Sequence, residues 1–518
     1  MQWLLRARRS RACNIDFHPH SLCTYNSPES QNLLMILCTV DDEIFIRLGV
    51  PGPKPVPFIG NLLEYRKGFH NFDMECFQKY GRVWGIYDAR QPALCIMDTE
   101  IIRTVLIKEC YSLFTNHRSF PLNGPLHDTV FMAEDEDWKR IRSVLSPSFT
   151  SGRLKEMFGI MKSHSRSLVE NLQKTSERGE SADIKEFFGA YSMDVLTSSL
   201  FSVDIDSLNN PKDPFVSNIK KMLKFSLFNP LLLIFVLFPF IGPVLEKMDF
   251  AVFPTAVTDF FYASLQKIKS ERVRRVDFMQ LMIDSQKSEK DDQNGKETNK
   301  GLNDHEILSQ SMMFIFAGYE TSSSTLTFLF YNLASNPDTM KKLQEEIDET
   351  FPNKAEVDYD AVMNMDYLDA VMNESLRLYP VSVRLERVCK KTVEINGLTI
   401  PKDTTIFVPT YALHRDPEHW PDPETFNPER FTQENKKSIE QYAYMPFGLG
   451  PRNCIGMRFA LVAMKLAVLE ILQKFDISLS EETKVPLELN TIGLLAPKHP
   501  VKLKLTPRKI SNSNHITS

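Results

Sequence analysis

Most of this chain has the hydrophobic pattern of α-helices, and one long segment is apolar on nearly all of its sides. The segment covers residues 304–335, contains the run Met312 to Phe316 and ends at Asn336-Pro337, where the proline stops a helix. A helix without a polar face is expected in the interior of a large domain. Further helices are predicted over residues 134–145, 366–379 and 457–475.

Patterns typical of β-strands are fewer and shorter. Residues 393–400 predict a hairpin with Asn396-Gly397 at its turn, and short strands are expected near residues 498–505. Prolines interrupt the stretch between residues 416 and 431, which is therefore predicted to be an irregular meander. The predicted fold class is mainly α with a small β-lobe.

The chain changes character near residue 50. The first residues are basic and polar, and the prolines between Pro51 and Pro57 predict a stiff, extended segment. Apolar runs at residues 33–40 and 231–240 are shorter than the roughly 20 residues that a membrane-spanning helix needs. The second run instead suits a buried helix or a segment that dips into a membrane surface. The predicted organisation is an atypical N-terminal segment at 1–49, one domain at 50–507 and a polar tail at 508–518.

Composition excludes several classes of protein. Of 518 residues, 42% are hydrophobic and 25% are charged, which is typical of a folded globular chain. The 61 basic and 66 acidic residues give a net charge of −5, which argues against a nucleic-acid-binding protein. None of the eight cysteines forms a C-x-x-C pair, so zinc-ribbon, thioredoxin-type and ordinary iron–sulfur sites are not supported.

One cysteine lies in a segment suited to metal chemistry, Phe447-Gly448-Leu449-Gly450-Pro451-Arg452-Asn453-Cys454-Ile455-Gly456, here named the cysteine loop. Its glycines permit a tight turn whose backbone N–H groups can point toward a sulfur. A helix that begins at Cys454 would favour the thiolate, while Arg452 supplies a cation and Phe447 an apolar shield. These features fit a cysteinate that ligates haem iron. For an isolated cysteine, the alternative would be a buried thiol in a glycine-rich turn.

With its pattern F-x-x-G-x-R-x-C-x-G, this loop resembles that of the cytochrome P450 superfamily, and the similarity extends from Pro51 to about Leu505. The resemblance implies a cytochrome P450 fold, with haem b between a long central helix and the cysteine loop and with Cys454 as the metal ligand. Residues 374–377 match the family's E-x-x-R pattern, and residues 428–431 match its later arginine. An isolated E-x-x-R would be an ordinary surface pair. In this family the implied structural network is buried and consists of Glu374, Arg377 and Arg430.

A further match, Ala317-Gly318-Tyr319-Glu320-Thr321, lies within the long apolar segment. By resemblance, the small residues Ala317 and Gly318 leave room for dioxygen beside the haem. Thr321 and Glu320 are the implied catalytic residues, since one can hydrogen-bond the activated oxygen and the other can relay protons. Taken alone, these residues would equally suit a kink in a core helix.

Within the superfamily, the chain is most similar to subfamily A of family 3, on stretches such as residues 133–140, 206–211, 384–391 and 450–461. This resemblance implies residues that bind the haem propionates, namely Trp138, Arg142, Arg387 and Arg452. It also implies a substrate pocket, although phenylalanines suit a packed core equally well. The pocket residues would be Phe120, Phe225, Phe253, Phe316, Thr321, Val381, Ser382 and Leu385.

Two features depart from the family's pattern. His117 stands where the family usually has another propionate-binding arginine, and the neighbouring Arg118 is the candidate to replace it. The N-terminal segment lacks the apolar anchor helix of similar proteins, so weaker association with the membrane is expected.

The resemblance predicts a monooxygenase that inserts one oxygen atom of dioxygen into lipophilic substrates such as steroids and xenobiotics. No nucleotide-binding unit is evident, because Gly448 and Gly450 do not follow a strand in a βαβ unit. Electrons from NADPH would therefore arrive through NADPH–cytochrome P450 reductase, with cytochrome b5 as a second partner. The expected location is the cytoplasmic face of the endoplasmic reticulum membrane, in contact with the membrane surface and without nucleic acid. The alternatives are a haem-thiolate isomerase that needs no reductase and an inactive haem- or lipid-binding relative.

Overall fold

The structure, a computed structural model, describes residues 44–118, 124, 126–223, 253–271, 277–286 and 301–508. The N-terminal run at 33–40, the apolar segment 231–240, Phe120 and Phe225 lie outside the described residues. The α-helices are α1 (Ile44–Arg47), α2 (Phe69–Tyr80), α3 (Thr99–Arg103), α4 (Asp135–Leu145), α5 (Ser151–Glu177), α6 (Ile184–Phe201), α7 (Pro214–Leu223), α8 (Thr255–Ser270), α9 (Phe278–Asp284), α10 (Asp304–Ser335), α11 (Pro337–Thr350), α12 (Tyr359–Met363), α13 (Asp366–Leu378), α14 (Thr410–Leu413) and α15 (Met457–Leu472). The strands are β1 (Val83–Asp88), β2 (Gln91–Ile96), β3 (Ala182–Asp183), β4 (Leu385–Val388), β5 (Val393–Ile395), β6 (Leu398–Ile400), β7 (Thr405–Val408), β8 (Phe475–Leu479) and β9 (Lys502–Pro507). The predicted class, mainly α with a small β-lobe, is confirmed.

The β-lobe is built around a four-stranded sheet in the order β1-β2-β7-β4. Only β2 and β7 run parallel, and the other two pairings are antiparallel. The predicted hairpin is β5-β6, with Val393 opposite Ile400, and a third sheet has the order β3-β9-β8. Apolar side chains of the large sheet form their own core, separate from the larger core between the helices.

Helix α10 runs through the helical core as the apolar pattern predicted. A capping box begins it, in which Asn303 accepts from the Glu306 N–H and Glu306 accepts from the Asn303 N–H, both over 2.8 Å. It ends at Ser335, and Pro337 begins α11. Helix α15 is shorter than predicted, because the chain leaves the helix after Leu472 and β8 begins at Phe475. Among the helices of the described residues, none is long and apolar enough to cross a membrane.

Helices α6 and α10 pack closely because each supplies a glycine at the contact. A Cβ added at Gly189 of α6 would lie 2.8 Å from the Tyr319 hydroxyl, and one at Gly318 of α10 would lie 2.7 Å from Leu196 Cδ2. The missing side chain of Gly318 therefore allows helix packing. The space beside it belongs to Leu196, which corrects the expectation that this glycine leaves room for dioxygen.

We expect Gly318→Ala to lower the melting temperature of the folded protein, because the added methyl group overlaps Leu196. Overpacking of this kind costs about 1–3 kcal/mol. Differential scanning calorimetry would measure the change. The control is Gly159→Ala in α5, where an added Cβ meets no atom within 4 Å, so that helix propensity should stabilise the variant by up to about 1 kcal/mol. Equal melting temperatures for the two variants would contradict the close α6–α10 contact.

Candidate active site at the cysteine loop

The cysteine loop is a tight turn just before α15. Gly448 and Gly450 have φ values of +74° and +75°, which residues with side chains rarely adopt. A Cβ on Gly450 would also lie 2.0 Å from the Leu106 carbonyl oxygen, so the loop sits directly against the turn at residues 104–108. The Cys454 N–H donates to the Phe447 carbonyl over 2.8 Å, which closes the loop and places these two predicted residues side by side.

The surroundings of the Cys454 thiol act on its pKa in opposite directions. Burial raises its pKa above the ordinary value, whereas the N–H groups of Gly456 and Met457 and the charge of Arg142 act in the opposite direction. The helix begins at Met457, as the sequence predicted, rather than at Cys454 itself, and the N–H groups of Gly456 and Met457 still point toward the sulfur. Because burial dominates, a bound metal cation is the partner that would keep this cysteine as a thiolate.

Cys454 is accessible by surface area although the surrounding protein desolvates it. Both properties hold for a side chain that faces an enclosed space rather than bulk solvent. A similar surface occurs on α10, where Met313, Ala317 and Thr321 follow one another at four-residue spacing and stay partly exposed in a helix that is otherwise mostly buried. One face of the central helix is thus available to ligands.

The two predicted catalytic residues make different contacts. The Thr321 hydroxyl donates to the Ala317 carbonyl over 2.7 Å, which leaves its oxygen lone pairs on the accessible face. Glu320 lies one position away, and its Oε1 is 2.6 Å from Lys185 Nζ of α6. The Ser324 hydroxyl also donates to this carboxylate, over 3.3 Å. Sequence reasoning missed Lys185, because the ion pair joins residues that are 135 positions apart.

Three arginines from different elements surround the cysteine loop. Arg142 of α4 donates to the Asn453 carbonyl over 2.8 Å and to the Asn453 side chain over 3.0 Å. Arg452 donates to the Ala133 carbonyl over 2.6 Å, and its guanidinium lies 4.5 Å from the Trp138 ring centroid. Arg387 of β4 is buried and donates to the Glu386 carbonyl over 2.6 Å. These contacts place Trp138, Arg142 and Arg452 at the cysteine loop, and the charge of Arg387 acts on Arg452.

No carboxylate of the described residues lies within ion-pair distance of this cationic cluster, Arg142, Arg387 and Arg452, although Glu386 acts on Arg387, and Glu134 and Asp135 act on Arg452, from further away. None of the three forms an ion pair with a carboxylate in the part of the chain that the structure describes, and Arg387 and Arg452 each have a buried Nε without a hydrogen-bond partner there. Burial lowers the pKa of Arg387, and burial together with Arg387 lowers the pKa of Arg452 to about 9. Buried cations that are hydrogen-bonded but have no carboxylate in an ion pair are costly, so the cluster is suited to binding an anionic group.

The residues fit haem b. Its two propionates would supply negative charge beside the cationic cluster, and their oxygens would accept from its guanidinium groups. Cys454 offers a sulfur ligand on the neighbouring loop, with backbone N–H groups that tune it.

Neither His117 nor Arg118 offers the free positive charge of the propionate-binding arginine that the family usually has here. Burial, followed by the charges of Arg387 and Arg452, holds the pKa of His117 well below its ordinary value, so this ring is neutral beside the cationic cluster. Arg118 is paired with Asp88 over 2.7 Å and with Glu386 over 2.9 Å. Its charge is thereby neutralised, which corrects the expectation that Arg118 replaces the missing arginine.

Behind the loop, Glu374, Arg377 and Arg430 form one buried network. Arg377 Nε and Nη2 donate to the two carboxylate oxygens of Glu374, each over 2.8 Å, and Arg430 Nε lies 3.5 Å from the same carboxylate. Arg377 also donates to the His414 carbonyl over 2.8 Å. The His414 ring accepts from the Met445 N–H over 3.0 Å, and burial lowers its pKa to about 3, so it stays neutral for this role. No sequence motif pointed to His414.

The described pocket residues lie on α10, just before α8, and in and just before β4. Phe316 of α10 packs edge-on against Phe253, with ring centroids 5.6 Å apart. In the segment before β4, the Ser382 hydroxyl donates to the Arg384 carbonyl over 2.9 Å, and Val381 is buried. Leu385 lies against the cysteine loop, since a Cβ on Gly448 would be 3.9 Å from its Cδ2.

We expect His117→Arg to have opposite effects with and without haem. A further buried cation should lower the melting temperature of the haem-free protein, whereas it should slow haem loss from the loaded protein by about tenfold, as one extra charge-assisted hydrogen bond would. Calorimetry and haem transfer to an acceptor protein would measure the two effects. His117→Gln, which stays neutral, is the control. Faster haem loss from the arginine variant would contradict the placement of the propionates.

Comparison with known proteins identifies the family. The cytochrome P450 family model matches residues 50–505. Cytochrome P450 3A27 of Oncorhynchus mykiss is 64% identical over 506 residues, which are 95% of this chain and 98% of that protein. Cytochrome P450 3A40 of Oryzias latipes is 66% identical, with 93% and 96% of the two chains covered, and cytochrome P450 3A12 of Canis lupus familiaris is 54% identical, with 92% and 95% covered. The chain therefore belongs to the cytochrome P450 family and is a haem-thiolate monooxygenase.

Proposed function

We propose that this monooxygenase oxidises steroids and lipophilic xenobiotics beside the accessible face of α10, with Cys454 as the iron ligand. The observation that carries the proposal is the cationic cluster, which forms no ion pair with a carboxylate of the described residues, next to Cys454, the one accessible cysteine among those residues. Haem b, when bound, supplies the activation of dioxygen, of which one atom enters a C–H bond of the substrate and the other is reduced to water.

In this proposal the cationic cluster and Trp138 orient the haem through its propionates. Arg387 and Arg452 contribute their guanidinium charge, while Arg142 also stabilises the loop through Asn453. Phe447 shields the sulfur from water. The small side chain of Ala317 leaves room for a planar cofactor beside α10. The network of Glu374, Arg377 and Arg430 acts behind the loop and touches no substrate.

Proton delivery is assigned to Thr321 and Glu320. The Thr321 hydroxyl lies on the accessible face, where its oxygen can accept a hydrogen bond, and rotation away from the Ala317 carbonyl would let it donate its proton to the reacting oxygen. Lys185 holds the Glu320 carboxylate in a half-buried ion pair, from which it can turn toward Thr321 or toward solvent. Lys185 is thus a positioning residue for the proton donor.

The substrate pocket is assigned to apolar side chains on both sides of the α10 face. Phe253 and Phe316 form one wall, and Val381 and Leu385 form the other; Phe120 and Phe225 remain predicted members. The Ser382 hydroxyl is not free to bind a substrate, because it donates a hydrogen bond to the Arg384 carbonyl. Ser382 therefore shapes the pocket through its backbone. Such a pocket favours lipophilic molecules over polar ones.

The source of electrons is assigned to NADPH–cytochrome P450 reductase, with cytochrome b5 as a second donor. The cysteine loop does not follow a strand, so its glycines are not those of a dinucleotide-binding unit. We place the enzyme at the cytoplasmic face of the endoplasmic reticulum membrane, with residues 50–507 as the haem domain between the segments 1–49 and 508–518.

The central test is turnover by the purified full-length chain loaded with haem, together with reductase, NADPH and a panel of steroids. We expect hydroxylated products in which labelled dioxygen supplies one oxygen atom, measured by mass spectrometry. Cys454→Ser should abolish this activity, because a hydroxyl cannot replace the electron-donating sulfur. Products formed from organic peroxides alone, without reductase, would favour an isomerase.

A second test concerns Lys185. We expect Lys185→Met to lower the product formed per NADPH several-fold and to increase hydrogen peroxide release, because Glu320 loses the partner that positions it. Lys185→Arg keeps the charge and is the matched control. The solvent deuterium isotope effect on turnover should rise in the methionine variant only. An unchanged isotope effect would mean that Lys185 contributes only to the packing of α6 against α10 and not to proton delivery.

A further inference from the structure

The proposed haem site takes its residues from two separate parts of the molecule. Trp138 and Arg142 lie on α4, which packs in the helical core, whereas Arg387 lies on β4 of the four-stranded sheet. A rigid, planar cofactor contacts both parts well only if their spacing is already correct. Fixed spacing strengthens binding, because less free energy is then spent on ordering the two parts. A residue that joins α4 to β4 therefore affects how tightly the propionates are held.

Asn116 makes this connection. Its backbone carbonyl accepts from the N–H of Val388, the residue after Arg387, over 2.9 Å. Its side chain contacts the first residue of α4, because Oδ1 accepts from the Asp135 N–H over 2.9 Å and Nδ2 donates to the Asp135 carboxylate over 3.2 Å. Asn116 is buried. Three hydrogen bonds of one residue thus connect the end of β4 to the beginning of α4.

Helix α4 depends on this side chain for its start. A helix usually takes its cap from the residue just before it, but within the described residues the Glu134 side chain caps no N–H of α4. Asn116, which is 19 positions away from Asp135, supplies the acceptor instead. Asp135 also has a φ of +46°, a left-handed conformation that residues with side chains adopt at a cost. The contacts with Asn116 stabilise that conformation.

Lys390 supports the same connection from the other side. It lies two residues after Val388, pairs with the Asp135 carboxylate and donates to the Thr115 hydroxyl over 2.8 Å. Both members of this ion pair are partly exposed, so it contributes little by itself. The buried amide of Asn116 is therefore the main link.

We propose that Asn116 is a positioning residue for the haem propionates. It acts by holding Trp138 and Arg142 at a fixed distance from Arg387, and we assign it no contact with the substrate. This inference rests on the proposed haem site. A role in stability alone would change the melting temperature of the protein, whereas a positioning role also changes the rate of haem loss and the vibrations of the bound propionates.

The experiment uses the full-length, haem-loaded protein. It measures haem transfer to an acceptor protein, the propionate bands of the resonance Raman spectrum and the melting temperature. Asn116→Ala removes both side-chain hydrogen bonds and keeps the backbone one. Its control is Asn61→Ala, because Asn61 is also buried and its side chain also accepts from a backbone N–H, that of Tyr87 over 2.8 Å. This contact lies at β1, the edge of the sheet opposite β4.

A second set of variants exchanges the two partners. Asn116→Asp alone places two carboxylates against each other, since the side chain faces that of Asp135. Asn116→Asp combined with Asp135→Asn restores one donor and one acceptor and reverses the direction of the side-chain hydrogen bond. The exchange keeps an acceptor for the N–H of residue 135 and leaves the net charge unchanged.

We expect Asn116→Ala and Asn116→Asp to lose haem about tenfold faster than the parent protein, as loss of one hydrogen bond to a charged group allows. Both should shift the propionate bands, and the exchanged pair should restore the bands and the rate. Asn61→Ala should lower the melting temperature without changing either.

Two results would overturn the inference. One is haem loss from Asn116→Ala that is no faster than from Asn61→Ala, and the other is an exchanged pair that behaves like Asn116→Asp alone. If Asn116→Ala does not fold, the comparison of Asn116→Asp with the exchanged pair decides the result. A parent protein that binds no haem would overturn the proposed function as well, so the two failures are distinguishable.

Discussion

The buried ion pair between Glu374 and Arg377 is the interaction on which the haem-binding half of the molecule depends. Both side chains are fully buried, and the arginine donates to the carboxylate through two nitrogens. Its remaining nitrogen donates to the carbonyls of His414 and Pro423, so one side chain of α13 fixes the two ends of a long irregular stretch. Removal of either charge would leave the other buried and unpaired, at a cost of about 3–5 kcal/mol.

The Glu374–Arg377 ion pair and the cationic cluster have different roles: the charges of the pair stabilise the fold, whereas those of the cluster are suited to binding a cofactor. Arg377 has all of its donors satisfied within the protein, whereas Arg387 and Arg452 keep buried Nε groups without acceptors and have lowered pKa values. The first arrangement stabilises the fold by itself. The second is favourable only when an anionic cofactor is present, so cofactor binding and folding are thermodynamically linked.

Features that depend on neighbours in the sequence could be predicted without the structure. The bounds of α10 follow from an apolar segment with a capping residue at one end and a proline after the other, and the cysteine loop follows from glycines at fixed positions. Helix α15 was predicted too long because an apolar strand, β8, follows it almost directly. A continuous apolar run does not show where a helix gives way to a strand.

Contacts between distant segments could not be predicted in this way. Lys185 pairs with Glu320 across two helices, and Arg118 is held by Glu386, which is 268 positions away. Lys185 and Glu386 each have the sequence signature of an ordinary surface charge. Likewise, Gly318 belongs to a motif associated with oxygen chemistry, but the side chain that occupies its space comes from α6.

The tight contact between α6 and α10 has a consequence for how the enzyme adapts to ligands of different size. Because Gly189 and Gly318 let these helices approach until side chains fill the remaining gap, α10 has no room to retreat toward α6 when a bulky molecule binds. The central helix is thus a fixed wall. Any breadth in substrate choice must come from the segments that face it, whose side chains can change rotamer without disturbing the core.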